Sequence, residues 1–212
     1  MSLLNKLYKS RNVVLEMLEL RGYTVDKYKN FSLSELDIKM KNVNKKTSFE
    51  PNMIDIECIY GKQKKIIVKY ILTKIRTSNI KNLIDEMIEN EVISDNDDVV
   101  FIIKDKVNNM ELFESLFDLY DNSNNIFIQL FSIDSLQVNI TKHILVPELK
   151  ILNKEEIDEL KDKLKITDMN QFPKFLKSDP QAKFCGVRRG NLCKIIRTSE
   201  TSGIYINYRY LE

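Results

Sequence analysis

"IIRTSETSGIYINYRYLE", residues 195–212, decides how the last third of this chain folds. One strand enters the polar run from Arg197 to Gly203 and a second leaves it, with expected spans of 191–197 and 204–211. Alternation puts Ile204, Ile206, Tyr208 and Tyr210 on one face, and Tyr205, Asn207, Arg209 and Leu211 on the other. Both faces are partly apolar, so the strand is expected either central in its sheet or covered by a partner. A chain that closes on such a strand, with no tail behind it, is expected to hold it against fraying. The predicted arrangement gives one face to the domain's own core and the other, in part, to a partner. Gly203 supplies the backbone freedom of the turn. The hydroxyls of residues 198–201 and the Glu200 side chain are expected to fix it.

Working outward, "DPQAKFCG" reads as a short helix with Asp179 as N-cap, Pro180 at its first position and Gly186 ending it. "NKEEIDELKDKLKI" reads as a helix capped by Asn153, with Ile157, Leu160 and Leu164 inward. "VNITKHILVPE", residues 138–148, is expected extended, with Pro147 ending it. Together these elements predict a compact α+β unit of about seventy residues.

The first two thirds follow another pattern. Leu4, Leu7, Tyr8, Val14, Leu15 and Leu18 recur at helical spacing, and Gly22 stops that helix. A second helix is expected from Ser34, with Asp37 three residues on. In "MIDIECIY", Ile54, Ile56, Cys58 and Tyr60 share one face and Asp55 and Glu57 the other. "GKQK" turns the chain into "IIVKYIL" as a hairpin. A helix marked by Ile80, Leu83, Ile84, Met87 and Ile88 leads to the strand "DDVVFIIKD". A helix marked by Leu112, Phe113, Leu116, Phe117 and Tyr120 leads to the strand "NIFIQLF". Two β–α–β crossovers imply parallel neighbours in a helix-covered sheet.

Composition narrows the function. The 212 residues are 43% apolar and 30% charged, ordinary for a globular protein. No apolar run approaches the length of a membrane span, and "MSLLNKLYKSRNVVLEML" carries charges throughout, unlike a signal peptide. Cys58, Cys185 and Cys193 lack C-x-x-C spacing, so buried thiols in a reducing compartment are expected. A single histidine, His143, rules out His-based metal sites, and the glycine-rich nucleotide motifs are absent, so no cofactor and no metal is expected. Net charge is +2, but residues 139–212 carry fourteen basic against ten acidic side chains, and residues 1–138 nineteen against twenty-one. So mild an excess predicts weak, salt-labile affinity for DNA.

Three segments carry a family resemblance: "VNITKHILVPE" (138–148), "FPKFLKSDPQAKFCGVRRG" (172–190) and "CKIIRTSETSGIYINYR" (193–209). In order and spacing they resemble the shared fifth subunit of the eukaryotic RNA polymerases, whose C-terminal domain is similar to a small subunit of the archaeal RNA polymerases. "RNVVLEMLELRGY" (11–23) resembles that family's opening helix. The resemblance implies an α/β jaw domain over 1–137, a non-catalytic restriction-endonuclease-like sandwich, and a small α+β assembly domain over 138–212. It implies docking of the second domain on the largest polymerase subunit, among the other subunits, and a lower-jaw position for the first near downstream duplex DNA, with transcription factors as further expected partners. His143, Pro147, Arg188, Arg189, Arg197, Glu200, Tyr208 and Arg209 are the interface candidates. In place of the family's T-P-S-A-like loop, "KDKVNNMELF" (104–113) offers Lys104 and Lys106 as DNA-proximal candidates. A heavy use of Asn, Ile and Lys, with the divergent jaw, suggests an AT-rich eukaryote or a large DNA virus. The expected location is the nucleus in the first case, and the virion or the infected cell's cytoplasm in the second.

A second reading competes. Asp55, Glu57 and Lys69 on a hairpin resemble the layout in which nuclease carboxylates hold Mg²⁺ and a lysine steadies the attacking water. The D/E-x-K signature is absent, because Ile67 and Val68 precede Lys69, and solvated strand charges are the plain alternative. The function would then be that of a stand-alone DNA-binding or nuclease-related protein. His143 is expected to pack or to bond at an interface, and Arg188 and Arg189 to meet either nucleic acid or a partner's carboxylates.

Overall fold

The first helix, α1 (Leu3–Leu20), buries Leu7, Val14, Met17 and Leu18 along one stripe, as its spacing requires. The description comes from a computed structural model and covers residues 2–43, 54–60, 64–73, 75–104, 107, 110–199 and 203–212. The chain divides into two units, Met1–Val138 and Asn139–Glu212.

In the first unit α1 ends in a Schellman turn. The Gly22 N–H donates to Glu19 O at 2.9 Å and the Tyr23 N–H to Leu18 O at 2.9 Å. Gly22 sits at φ +86°, and a Cβ there would lie 2.6 Å from Cε2 of Tyr60. Helix α2 (Leu33–Val43) starts earlier than expected. Its capping box joins Ser32 and Glu35, not Ser34 and Asp37: Glu35 N–H donates to Ser32 Oγ at 3.2 Å, and Ser32 N–H to Glu35 Oε2 at 2.9 Å.

Strands β1 (Ile56–Tyr60), β2 (Lys64–Ile71), β3 (Asp98–Ile103) and β4 (Phe127–Ser132) form a sheet in that order. The β1–β2 pair is antiparallel, while β2–β3 and β3–β4 are parallel, joined through α3 (Thr77–Glu89) and α4 (Met110–Asn124). All six residues of β3 are buried, as a strand covered on both faces demands. Ile67, Val99, Phe101, Ile128 and Leu130 meet Ile80, Leu83, Ile84, Phe113 and Phe117 in one core. From α1, buried Arg11 donates to Ile54 O at 2.7 Å and stacks 4.6 Å from the Phe31 ring; just beyond the helix, Tyr23 Oη donates to Asp98 at 2.7 Å. Tyr60 departs from expectation. It ends its strand 52% exposed, leaning edge-on to Tyr23 at 5.7 Å, instead of joining the core with Ile56 and Cys58.

The second unit opens differently from its reading. Residues 140–142 form a 3-10 turn, because Asn139 Oδ1 accepts the Thr141 N–H at 3.0 Å and the Thr141 hydroxyl at 2.6 Å. A further turn follows, and Pro147 precedes strand β5 (Glu148–Ile151) instead of ending an extended run. Helix α5 (Lys154–Leu164) carries a full capping box between Asn153 and Glu156. Leu160 is buried, whereas Leu164 at the last turn is exposed. Strand β6 (Lys174–Phe175) is followed by α6 (Pro180–Cys185), with Asp179 accepting from the N–H groups of Gln181 and Ala182 and Gly186 closing it. Strands β7 (Leu192–Ser199) and β8 (Gly203–Leu211) complete a sheet of order β5–β7–β8–β6.

Candidate assembly surface

Register fixes what the closing hairpin presents. Across β7 and β8, Ile196 faces Ile206, Thr198 faces Ile204, and Arg197 faces Tyr205. At the base both faces are filled from within the unit. Leu192, Tyr208 and Tyr210 pack with Leu152, Leu160 and Phe172 on one side. Cys193 and Leu211 pack with Phe175, Ala182 and Val187 on the other. At the tip neither face is filled: Ile204 is 67% exposed, Tyr205 52% and Ile206 42%.

The expected division between core and partner therefore runs along the strand, not across it. The cause is reach, since α5 has eleven residues and α6 six, and both lie over the base. Among the described residues, the strand's outer edge is likewise paired only at its end, where β6 meets Tyr210 and Leu211 in parallel register. Beyond that pairing, β8 offers backbone and apolar side chains together. Gly203 stands at φ +70°, in the left-handed region the turn needs.

The candidate residues fall in several places. Arg197, Arg189, Arg209 and His143 are exposed, Arg188 and Pro147 are half-buried, and Tyr208 is turned into the cluster under α5. His143 serves its own turn, its Nδ1 accepting the Leu145 N–H at 3.2 Å. The Pro147 carbonyl accepts from Gln181 Nε2, Arg188 N–H donates to Asn191 Oδ1 at 2.8 Å, and Arg209 donates to Lys174 O at 3.3 Å. Glu200 and Lys106 lie outside the described residues, and Lys104 is exposed at the end of β3. The most exposed large apolar residues lie outside the candidate set: Ile144 at 94%, Leu145 at 83% and Leu176 at 71%, besides the hairpin tip. Alternation in β8 was the signal for the tip, and an apolar pair just before Pro147 was the signal for Ile144 and Leu145.

The nuclease-like residues of the first unit do share a strip of sheet. The β1–β2 register brings Asp55 level with Lys69. Asp55 Oδ1 accepts the Tyr70 N–H at 3.0 Å, and Glu57 pairs with Lys65 at 2.7 Å. Lys69 is only 7% exposed, so it is not the solvated strand charge expected of it; its face of the sheet lies under the crossover helices. Among the described residues no group of three or more His, Cys, Asp or Glu side chains is placed to hold a metal.

Comparison with known proteins finds relatives of one class first: components of RNA polymerases. Residues 138–211 match the family model of RNA polymerase Rpb5, C-terminal domain. Over that segment the chain is similar to the C-terminal domain of the Rpb5 family. The subunit RPABC1 of DNA-directed RNA polymerases I, II and III from Caenorhabditis elegans is 50% identical over 74 residues, 35% of each chain, and that of Caenorhabditis briggsae matches equally. The chain thus aligns with about a third of the length of these nematode relatives. The Dictyostelium discoideum subunit rpabc1 is 27% identical over 206 residues, 97% of each chain, and extends the similarity through the first unit.

Proposed function

We propose that this chain is a non-catalytic structural subunit of a multisubunit DNA-directed RNA polymerase. The second unit docks on the largest subunit, and the tip of β7–β8 is the centre of that contact. The first unit, a restriction-endonuclease-like sandwich without its chemistry, forms part of the lower jaw near downstream DNA, where Lys104 and Lys106 meet phosphates. The relatives, named as subunits of RNA polymerases I, II and III, support this reading. In a cell the protein works in the nucleus; encoded by a large DNA virus, it works in the virion or the infected cell's cytoplasm.

One observation carries the docking. Within the segment that matches the family model, Ile204, Tyr205 and Ile206 stand open on both faces of a strand whose base is packed on both faces. Exposed apolar side chains on an unpaired edge are what an obligate interface covers. The test is a pull-down of the full chain against the largest subunit. The Ile204→Asp/Ile206→Asp variant should lose retention by about thirtyfold or more, as expected of central interface residues. Ile38→Ser, an exposed apolar change in the first unit, should not. Retention of the double variant at wild-type level refutes the docking. Mg²⁺-dependent DNA cleavage that vanishes in Asp55→Ala refutes the non-catalytic role.

A further inference from the structure

The two sheets end on edges of different kinds. In the first unit the outer edge of β1 is covered: the Tyr28 hydroxyl accepts the Glu57 N–H at 3.1 Å and donates to Glu57 O at 2.9 Å, and the Thr24 N–H donates to Ile59 O at 3.3 Å. In the second unit the outer edge of β8 is covered at its end. The Leu211 N–H donates to Asn191 O at 3.0 Å, on the β7 side, and the Tyr210 N–H to Pro173 O at 2.9 Å, on the β6 side. Backbone groups alternate along a strand paired in this way, so Ile204, Ile206 and Tyr208 turn theirs outward as Tyr210 does. Asn207 Oδ1 accepts the Tyr208 N–H at 2.8 Å. The chain's own strand cannot climb further, because Pro173 has no N–H for the Tyr208 carbonyl and residues 169–171 coil into a 3-10 turn. Among the described residues, the N–H and C=O of Ile204 and Ile206 and the C=O of Tyr208 therefore face no backbone partner.

We propose that this edge takes up an extended segment of the largest polymerase subunit, added to β8 as a further strand of the second unit's sheet. The inference rests on the docking proposed above and gives that contact its form. Main-chain hydrogen bonds run along the edge, and the exposed Ile204 and Ile206 side chains pack beside apolar side chains of the added strand. Backbone groups select this occupant. Outward N–H and C=O groups that recur every second residue, about 7 Å apart, match an extended chain and not a helix, whose own backbone groups are spent internally. Edges left to solvent are ordinarily blunted by charge, proline or a bulge, and Ile204, Tyr205 and Ile206 carry none of these. A second copy fits less well. Two β8 strands centred antiparallel on Ile206 would set Ile204 of one against Tyr208 of the other, whose N–H Asn207 already holds.

The test is binding of the full chain to the largest subunit. The chain is assembled by joining residues 1–192, as a thioester, to a synthetic 193–212 that begins at Cys193. An ester in place of the Ile206 amide removes one outward donor and keeps every side chain. An ester at Tyr208 weakens the β7 pairing alike, through the carbonyl before it, but removes an N–H that Asn207 already holds. The Ile206 ester should bind about three- to tenfold more weakly than the Tyr208 ester. N-methylation of Ile206 should abolish binding, because the methyl stands where the added strand must lie. Circular dichroism should not change, because that N–H takes no part in the β7 pairing. Equal affinity of the two esters, or wild-type binding after N-methylation, overturns the added strand even where Ile204→Asp/Ile206→Asp still loses retention and upholds the docking. Wild-type retention of that double variant refutes the docking and the added strand together. Self-association that N-methylation of Ile206 abolishes would assign the edge to a second copy and overturn the proposal too.

Discussion

Replacing Gly22 with alanine should cost the first unit about 2–3 kcal/mol, from two separable sources. The first is the backbone: φ of +86° is tolerated by glycine, and an L side chain there loses about 1–2 kcal/mol. The second is the Tyr60 ring, whose Cε2 lies 2.6 Å from the new methyl. Because Tyr60 is 52% exposed it can swing away, giving up its edge contact with Tyr23, worth about 0.5–1.5 kcal/mol. Tyr60→Ala removes the obstacle in advance. In that background Gly22→Ala should cost only the backbone part, leaving a coupling of about 1 kcal/mol. Hydrogen exchange of the fully buried β3 amides, Val99 to Ile102, reads the opening free energy of this unit within the full chain. An equal penalty for Gly22→Ala with and without Tyr60 would show that the ring is not the obstacle.

Three further outcomes concern the second unit and the thiols. Asn153→Ala should destabilise the second unit by about 1 kcal/mol, measured by urea unfolding, because Asn153 caps α5 through the Glu156 N–H at 2.8 Å. Glu156 itself is held below the usual carboxylate range, by its bond from Lys150 and then by the Asn153 N–H. Its contribution is therefore complete above the unfolded carboxylate pKa and lost as pH falls through the depressed folded value. Glu156→Gln should flatten that acid limb of stability, and an unchanged limb would refute the linkage. Burial pushes the Cys58 thiol up to about 11 and the Cys193 thiol up to about 12. A thiol reagent at pH 8 should therefore modify half-buried Cys185 well before either; comparable labelling of Cys193 would contradict the packing around it.

Much of the fold was legible because each element carries its own periodic signal. Ile80, Leu83, Ile84 and Met87 specify α3, and the unbroken apolar run of β3 specifies a strand covered on both faces. Asn153 and Asp179 announce their helices because a short polar side chain before a helix has one good use. Errors arose where several residues competed for one role. Ser32 and Ser34 are both plausible caps, and Glu35, with one more methylene than Asp37, is the side chain that reaches back to a cap N–H. Residues 138–148 read as extended because alternation hides an Asx turn, whose geometry depends on Asn139 bonding Thr141. For the assembly surface, the two apolar faces of β8 were visible in sequence, but how far α5 and α6 cover them is set by tertiary packing. Leu112 helped to mark α4 by its spacing and yet stands exposed, since periodicity gives the angle around a helix and not the depth at which each position sits.

The β8 strand behaves as a cantilever. Its last residues are clamped by β6 and by packing on both faces, while among the described residues Gly203 to Ile206 are held only through β7. Amide protection should fall steadily from the clamp toward the free end, so ordering the tip leaves the clamp undisturbed. Changes near Leu211 then register as altered folding stability, and, where the tip docks as proposed, changes near Ile204 as altered affinity. A single strand of nine residues thus holds two quantities that mutation can adjust separately.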